Sequence, residues 1–292
     1  MNSRHRLNFT GKGFVSLCAA LVASGILFLP GKSAAVLPSS IVTLIDGGSS
    51  ATVDLNSSAG MYNWSVNGQN QLNQQWFWYA IGSTAPQPIN SIGLVNSFTT
   101  GGNEVTALYQ NAQLTLTIDY VLSGGGAGSG SADITESISA VNNSGGSVDL
   151  HFYQYSDFNL LGNGANDTVK LFGNAGGPWN FVQQTADGSG IGEAVVAPSA
   201  NHGEAAVVGT TLSELNGAVP LTLDDNANAG PDDVTWALEW DTPLSQQGTS
   251  GDTFDLTKDK SLFVQVIPEP STVALIALGI SAWGLARRRP SC

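Results

Sequence analysis

Two histidines lie in the middle of the chain, and the first, His151, stands in the run Asp149-Leu150-His151-Phe152-Tyr153-Gln154-Tyr155-Ser156-Asp157. On a strand, Asp149, His151, Tyr153, Tyr155 and Asp157 project from one face. Those are the ingredients of acid–base or metal chemistry, although a sheet face of mixed aromatic and polar residues has the same pattern. His202, in Asn201-His202-Gly203-Glu204, reads as a loop residue. Two isolated histidines with no cysteine between them do not make a zinc site. No serine sits in a Gly-x-Ser-x-Gly elbow followed by an acid and a histidine. Nothing singles out one carboxylate pair, such as Asp149 and Asp157, for glycan hydrolysis or lysis. The expectation is a non-enzyme.

Two further constellations bear on binding. The densest group of oxygen donors is Asp224-Asp225-Asn226-Ala227-Asn228-Ala229-Gly230-Pro231-Asp232-Asp233. Asp224, Asn226 and Asn228 have the first, third and fifth spacing of an EF-hand loop. The match then fails, with Ala229 where Gly is required and Thr235 where the bidentate Glu belongs. A loose Ca2+ loop is the one cofactor reading, and a solvated acidic turn is the default. In Gln74-Gln75-Trp76-Phe77-Trp78-Tyr79, Trp76 and Trp78 would stack on sugar rings if exposed. A strand buried on both sides has the same composition, and burial is the preferred reading.

The elements that must position these residues are strands. From 36 to 267 the chain is rich in Gly, Ser, Thr, Asn and Val and lacks a sustained helical apolar repeat. Period-two alternation replaces it. Leu114, Leu116, Ile118, Tyr120 and Leu122 share one face. Ile134, Ile138 and Ala140 share another, and Trp236, Leu238 and Trp240 a third. The Gly-rich loop 123–130 and the turn Asn142-Asn143-Ser144-Gly145-Gly146 then predict a three-stranded antiparallel meander over 113–158, the second turn being a hairpin. Many short strands with regular turns predict an all-β fold, an antiparallel β-sandwich forming one large domain over 36–267.

Charge and cysteine usage exclude several functions. The only cysteines are Cys18 and Cys292, so residues 36–267 have no disulfide, thiol nucleophile or thiolate metal site. About 230 residues bury enough surface to stand without a disulfide. The same stretch holds three lysines (Lys170, Lys258, Lys260) against 22 carboxylates, a formal charge of −19. Such a body does not bind nucleic acid by neutralising phosphates. It favours solubility and attracts divalent cations.

The two ends are addresses. Arg4, Arg6 and Lys12, the apolar stretch Phe14–Leu29 and Ser33-Ala34-Ala35 have the order of a secretory signal peptide. Signal peptidase is expected to cut after Ala35, so residues 1–35 form the signal helix. Leu17 before Cys18 excludes a lipoprotein signal. At the other end Pro268-Glu269-Pro270 precedes the uncharged run 271–286 and Arg287-Arg288-Arg289. As a helix that run reaches about 24 Å, nearly a hydrocarbon core. Trp283 and the arginines complete the span and leave the body outside the cytoplasm.

This tail, 268–292, resembles the PEP-CTERM sorting domain of Gram-negative bacteria. The resemblance implies that Pro268, Glu269 and Pro270 are the motif read by an exosortase-like membrane protease. It also implies that Arg287, Arg288 and Arg289 are a stop-transfer cluster. The expected life history is transient anchoring in the inner membrane, then display at the cell surface or in the extracellular matrix. Biofilm exopolysaccharide is the associated partner, and the alternative function is a carbohydrate-binding module.

Overall fold

A near-continuous series of strands follows from the alternation. The computed structural model describes residues 40–173 and 177–265. The first strands are β1 (Ile41–Asp46), β2 (Ser49–Asp54), β3 (Gly60–Val66), β4 (Gln69–Asn70), β5 (Leu72–Ile81) and β6 (Gln87–Pro88). They continue as β7 (Leu94–Thr100), β8 (Glu104–Gln110), β9 (Leu114–Gly124), β10 (Ser131–Asn142), β11 (Val148–Phe158) and β12 (Asp167–Gly173). Next come β13 (Trp179–Ala186), β14 (Ser189–Ala197) and β15 (His202–Val207). A single helical turn, α1 (Thr210–Leu215), precedes β16 (Asn228–Asp232), β17 (Val234–Leu244) and β18 (Thr253–Phe263). The signal segment with Ala35, the helix expected over 271–286, Pro268–Pro270 and Arg287–Arg289 lie outside the described residues. Among the described residues, no helix is long and apolar enough to cross a membrane.

These strands form two sheets. One runs β1-β2-β3-β5-β11-β17-β15, and the other runs β16-β12-β13-β14-β18-β10-β9-β8-β7. Pairing is antiparallel, save a short parallel contact of β3 with β5. The alternation sets the inner faces as expected: Leu114, Leu116, Ile118, Tyr120 and Leu122 of β9 are all buried. Phe152 of β11 meets Phe254 of β18 at 6.0 Å across the sandwich and stacks on Phe77 of β5 at 5.5 Å. Each such side chain contributes about 1.5–3 kcal/mol by leaving water.

The expected meander is wrong in its third strand. β9 and β10 pair, with Ile118 opposite Ile138, but the other neighbour of β10 is β18. β11 lies in the opposite sheet, between β5 and β17. The turn after β10 is therefore a crossing and not a hairpin. The Asn142 amide donates to Gly146 O at 2.8 Å and to Ser245 O at 2.7 Å, tying the corner to the end of β17. β11 also carries large side chains on both faces, which an uncovered meander would leave in water.

The core contains charge. Glu136 of β10, Glu193 of β14 and Lys258 and Lys260 of β18 are at most 1% exposed. Lys260 Nζ lies 2.7 Å from Glu136 and 3.2 Å from Glu193. Lys258 Nζ contacts Glu136 and Gln154 Oε1, and lies 4.9 Å from the Phe77 ring centre. Gln154 of β11 returns a bond to Glu193 at 2.8 Å, so the network spans both sheets. Burial pushes the Lys258 ammonium down to about 8. Burial opposes ionisation of Glu136 as well, but the two lysines hold its carboxyl below the usual range.

Candidate functional site

The outer face of the first sheet, turned away from the second, gathers the titratable groups. Cross-strand register decides which side chains meet there. His151 lies opposite Asp241, Tyr153 opposite Glu239, and Glu239 opposite His202. Directly paired residues project from the same face. Three adjacent strands, β11, β17 and β15, thus present Tyr153, Glu239 and His202 in one row and His151 with Asp241 in the next. The expected strand face of β11 supplies His151 and Tyr153. The expectation for His202 fails, because it opens β15 and is no loop residue.

Hydrogen bonds fix the arrangement. His151 Nδ1 lies 2.5 Å from Asp241 Oδ1 and 3.7 Å from Glu239 Oε1. His202 Nδ1 lies 3.0 Å from Asp225 Oδ2, and its Nε2 lies 3.8 Å from Asp241 Oδ2. Asp225 holds the left-handed conformation at φ 61° and accepts from Trp179 Nε1 at 2.8 Å and Gly203 N at 3.1 Å. Gly203 is a close-packing position: a Cβ there would stand 2.5 Å from Leu171 Cδ2 and 3.0 Å from Trp179 Cδ1, and those side chains would have to shift. The segment 216–226 covers part of the face. Leu223 N donates to Glu239 Oε2 at 2.8 Å, and the Tyr153 hydroxyl donates to Leu221 O at 2.7 Å.

Exposure grades across the site. The side chains of His151, His202 and Asp241 are about one-third exposed, and Glu239 is fully buried. Burial, with Asp241 nearby, pushes the Glu239 carboxyl up to about 7. Burial acts against the His202 imidazolium, but Asp225, Glu239 and Asp241 raise it overall. Asp225 is held low despite partial burial by its bonds from Trp179, His202 and Gly203. One ligand atom each from His151, Glu239 and Asp241 lies within 4.8 Å of the others. One imidazole and two carboxylates suit a divalent transition ion. Without metal, the same set is an imidazole flanked by a half-buried and a fully buried carboxyl, able to exchange protons or bond to hydroxyls.

The other expected site residues fall elsewhere. Trp76 and Trp78 are 0% exposed, with their indole N–H groups bonded to Asn90 at 3.2 Å and Asn216 at 3.3 Å. They offer no face to a sugar, so the preferred reading of burial holds and the stacking alternative falls. Asp224 accepts from Asn226 N at 2.8 Å, an Asx turn, and the Asn226 amide donates to Ala205 O at 2.7 Å. Asn228 pairs with Lys170 across β16 and β12. From that acidic turn it is Asp225 that reaches the site. Asp149, at the exposed end of β11, does not join Asp157, which lies buried near the other end. Glu239 and Asp241 carried no signal of their own: they alternate with Trp236, Leu238 and Trp240 as polar residues on any half-buried strand do.

Comparison with known proteins bears on the tail and on the fold. Residues 266–289 match the PEP-CTERM protein-sorting motif. The motif marks an exported, surface-directed protein that an exosortase-like membrane protein processes. No curated protein matches the chain in sequence. Among solved structures, a bacterial glucoamylase solved with acarbose aligns at TM-score 0.52 and 10% identity, over 82% of this chain and 34% of that one. The chain thus spans about a third of the glucoamylase. A GalM/aldose epimerase homologue from C. elegans aligns at 0.48 and 8% identity, over 77% of this chain and 99% of that one. A galactose mutarotase-like protein from Lactobacillus casei aligns at 0.44 and 10% identity, over 76% and 99%. At 10% identity the likeness to the glucoamylase is one of fold alone.

Proposed function

We propose that this is a non-enzymatic surface or matrix protein of a Gram-negative cell, sorted through its tail, whose sandwich binds hydroxyl-rich exopolysaccharide. The ligand face is the one built by β11, β17 and β15. The observation that carries this reading is the pair of histidines in adjacent rows, each about one-third exposed and hydrogen-bonded to a carboxylate, on paired strands. Such a face offers several donors and acceptors in fixed register, which suits a sugar's vicinal hydroxyls. It replaces the tryptophan platform, which is buried. The test is retention of the purified chain on a polysaccharide panel, beside Asp241→Ala and His202→Ala variants. Retention weakened at least tenfold in both variants supports the reading, and no retention of the parent on any polysaccharide removes it.

A second reading rests on Glu239. A buried carboxyl titrating near neutrality beside an imidazole is the arrangement of a general acid–base pair. Turnover of a sugar panel that Glu239→Gln abolishes, with retention intact, would make the body an enzyme in place of a binding module.

A further inference from the structure

One oxygen on the face built by β11, β17 and β15 is left without a protein partner. The Glu239 side chain is 0% exposed. Its Oε2 accepts from Leu223 N at 2.8 Å, whereas its Oε1 is buried with no hydrogen bond. That Oε1 stands 3.7 Å from His151 Nδ1, which lies 2.5 Å from Asp241 Oδ1. A carboxylate oxygen taken out of water and left unpaired is costly, and a cation beside it would offset that cost.

The neighbours of that oxygen are metal ligands in type and in place. Among the described residues, His151, Glu239 and Asp241 alone bring one ligand atom each within 4.8 Å of one another. A Zn2+-type ion stands about 2.0–2.2 Å from such ligands, so atoms this close share one after a small movement of side chains. His151 and Asp241 are about one-third exposed and have room for it. Their backbones are fixed: His151 is paired with Asp241 and Tyr153 with Glu239 in the ladder of β11 and β17. Ligands on paired strands are held in register before an ion arrives. Spacing in the sequence hides the group, because His151 and Asp241 are 90 residues apart and a single histidine contributes.

We propose that His151 Nδ1, Glu239 Oε1 and one Asp241 carboxylate oxygen bind a divalent transition ion of the Zn2+ type. The imidazole favours such an ion over Mg2+ or Ca2+. Two carboxylates are also too few for Ca2+, which takes about 6–8 oxygen ligands. The ion takes the place of the proton shared by His151 and Asp241 and is neutralised by the two carboxylates. Three protein ligands leave a coordination position open, and the exposure of His151 and Asp241 turns it toward solvent. The site is distinct from the Asp224–Asn228 turn, and it does not rest on the polysaccharide reading of the same face.

The experiment is a calorimetric Zn2+ titration of the purified full-length chain, with Cys18 and Cys292 alkylated, Mg2+ in excess and no sugar present. Visible absorption of Co2+ added in place of Zn2+ reports ligation directly. The parent binds one Zn2+ that Mg2+ does not displace, and Co2+ gives bands stronger than those of the aqueous ion. His151→Ala, Asp241→Asn and Glu239→Gln each weaken Zn2+ binding by more than the roughly 10–100-fold typical of losing a supporting partner. The two carboxylate variants keep the side-chain shape, and circular dichroism shows that each variant is folded. His5→Ala and Asp224→Asn leave the affinity unchanged. No Zn2+ bound by the parent, displacement by Mg2+, unchanged affinity in folded His151→Ala or Asp241→Asn, or an equal loss in Asp224→Asn overturns the proposal. Retention on polysaccharide is a separate measurement, so failure here is distinct from failure of that reading.

Discussion

Replacing Lys258 by Met tests the charged core. In the native protein two ammonium groups and two carboxylates share a space that no water reaches, so the quartet is neutral. Burial outweighs the carboxylates at Lys258, whereas the carboxylates prevail at Lys260. The Lys258 ammonium is pushed from the usual 10.5 down to about 8, a penalty of about 3 kcal/mol at neutral pH. Lys258→Met removes that penalty but leaves Glu136 and Glu193 sharing Lys260 alone, with one carboxylate uncompensated. Breaking one side of a buried ion pair costs about 3–5 kcal/mol net. For a chain of this size that lowers Tm by roughly 6–20 °C. Glu136→Gln alone costs about as much, because it leaves two ammonium groups on Glu193. The double variant restores one cation against one anion, Lys260 with Glu193 at 3.2 Å, and should recover most of the loss. Urea midpoints of the four proteins close the cycle. Additive losses, or Lys258→Met as stable as the parent, would refute the reasoning.

Three other outcomes follow from the same geometry. Burial raises the Glu239 carboxyl from 4.5 to about 7, so the folded state favours its protonated form; the resulting stability is full below pH 4.5 and is lost as pH rises through 7. Relative to Glu239→Gln, the parent should therefore lose about 3 kcal/mol between pH 4.5 and 8, read from urea midpoints at both pH values. Trp76→Ala should cost about 3–5 kcal/mol of stability and leave retention on polysaccharide unchanged at a temperature where it remains folded, since the ring is core and not platform. Deleting 268–292 should send the protein into the medium unprocessed, read by immunoblot of cell fractions; unchanged localisation counts against the sorting role of the tail.

Alternation in sequence reports which way a side chain points, and that much was legible. The buried residues of β9 and the shared face of His151 and Tyr153 on β11 follow from period two alone. Which strand lies alongside is a different quantity, set by contacts far away in the chain. β11 pairs in the opposite sheet with β5 and β17, and the corner before it is bonded to Ser245, 103 residues beyond Asn142. The site obeys the same rule: Asp241 reaches His151 from 90 residues on, and His202 was misread because Gly203 looks like a turn when it is a close-packing position. Polar residues in the core were the least legible of all. Glu136 falls on the apolar face of β10 between Ile134 and Ile138, and only Lys258 and Lys260, more than 120 residues later, give it a reason to be there.

The charge imbalance of −19 takes on a different meaning once the lysines are placed. Lys258 and Lys260 face inward, so Lys170 is the one exposed cation of the described residues and the outer surface is almost wholly anionic. A cysteine-free body outside the cell must still hold its two sheets in register. Here the means are electrostatic: the Glu136–Lys258–Gln154–Glu193 network crosses the middle of the sandwich and links β10, β14 and β18 to β11. That network is balanced from within by the chain's own lysines, so loss of any one charged partner leaves a buried charge that nothing else in the core offsets.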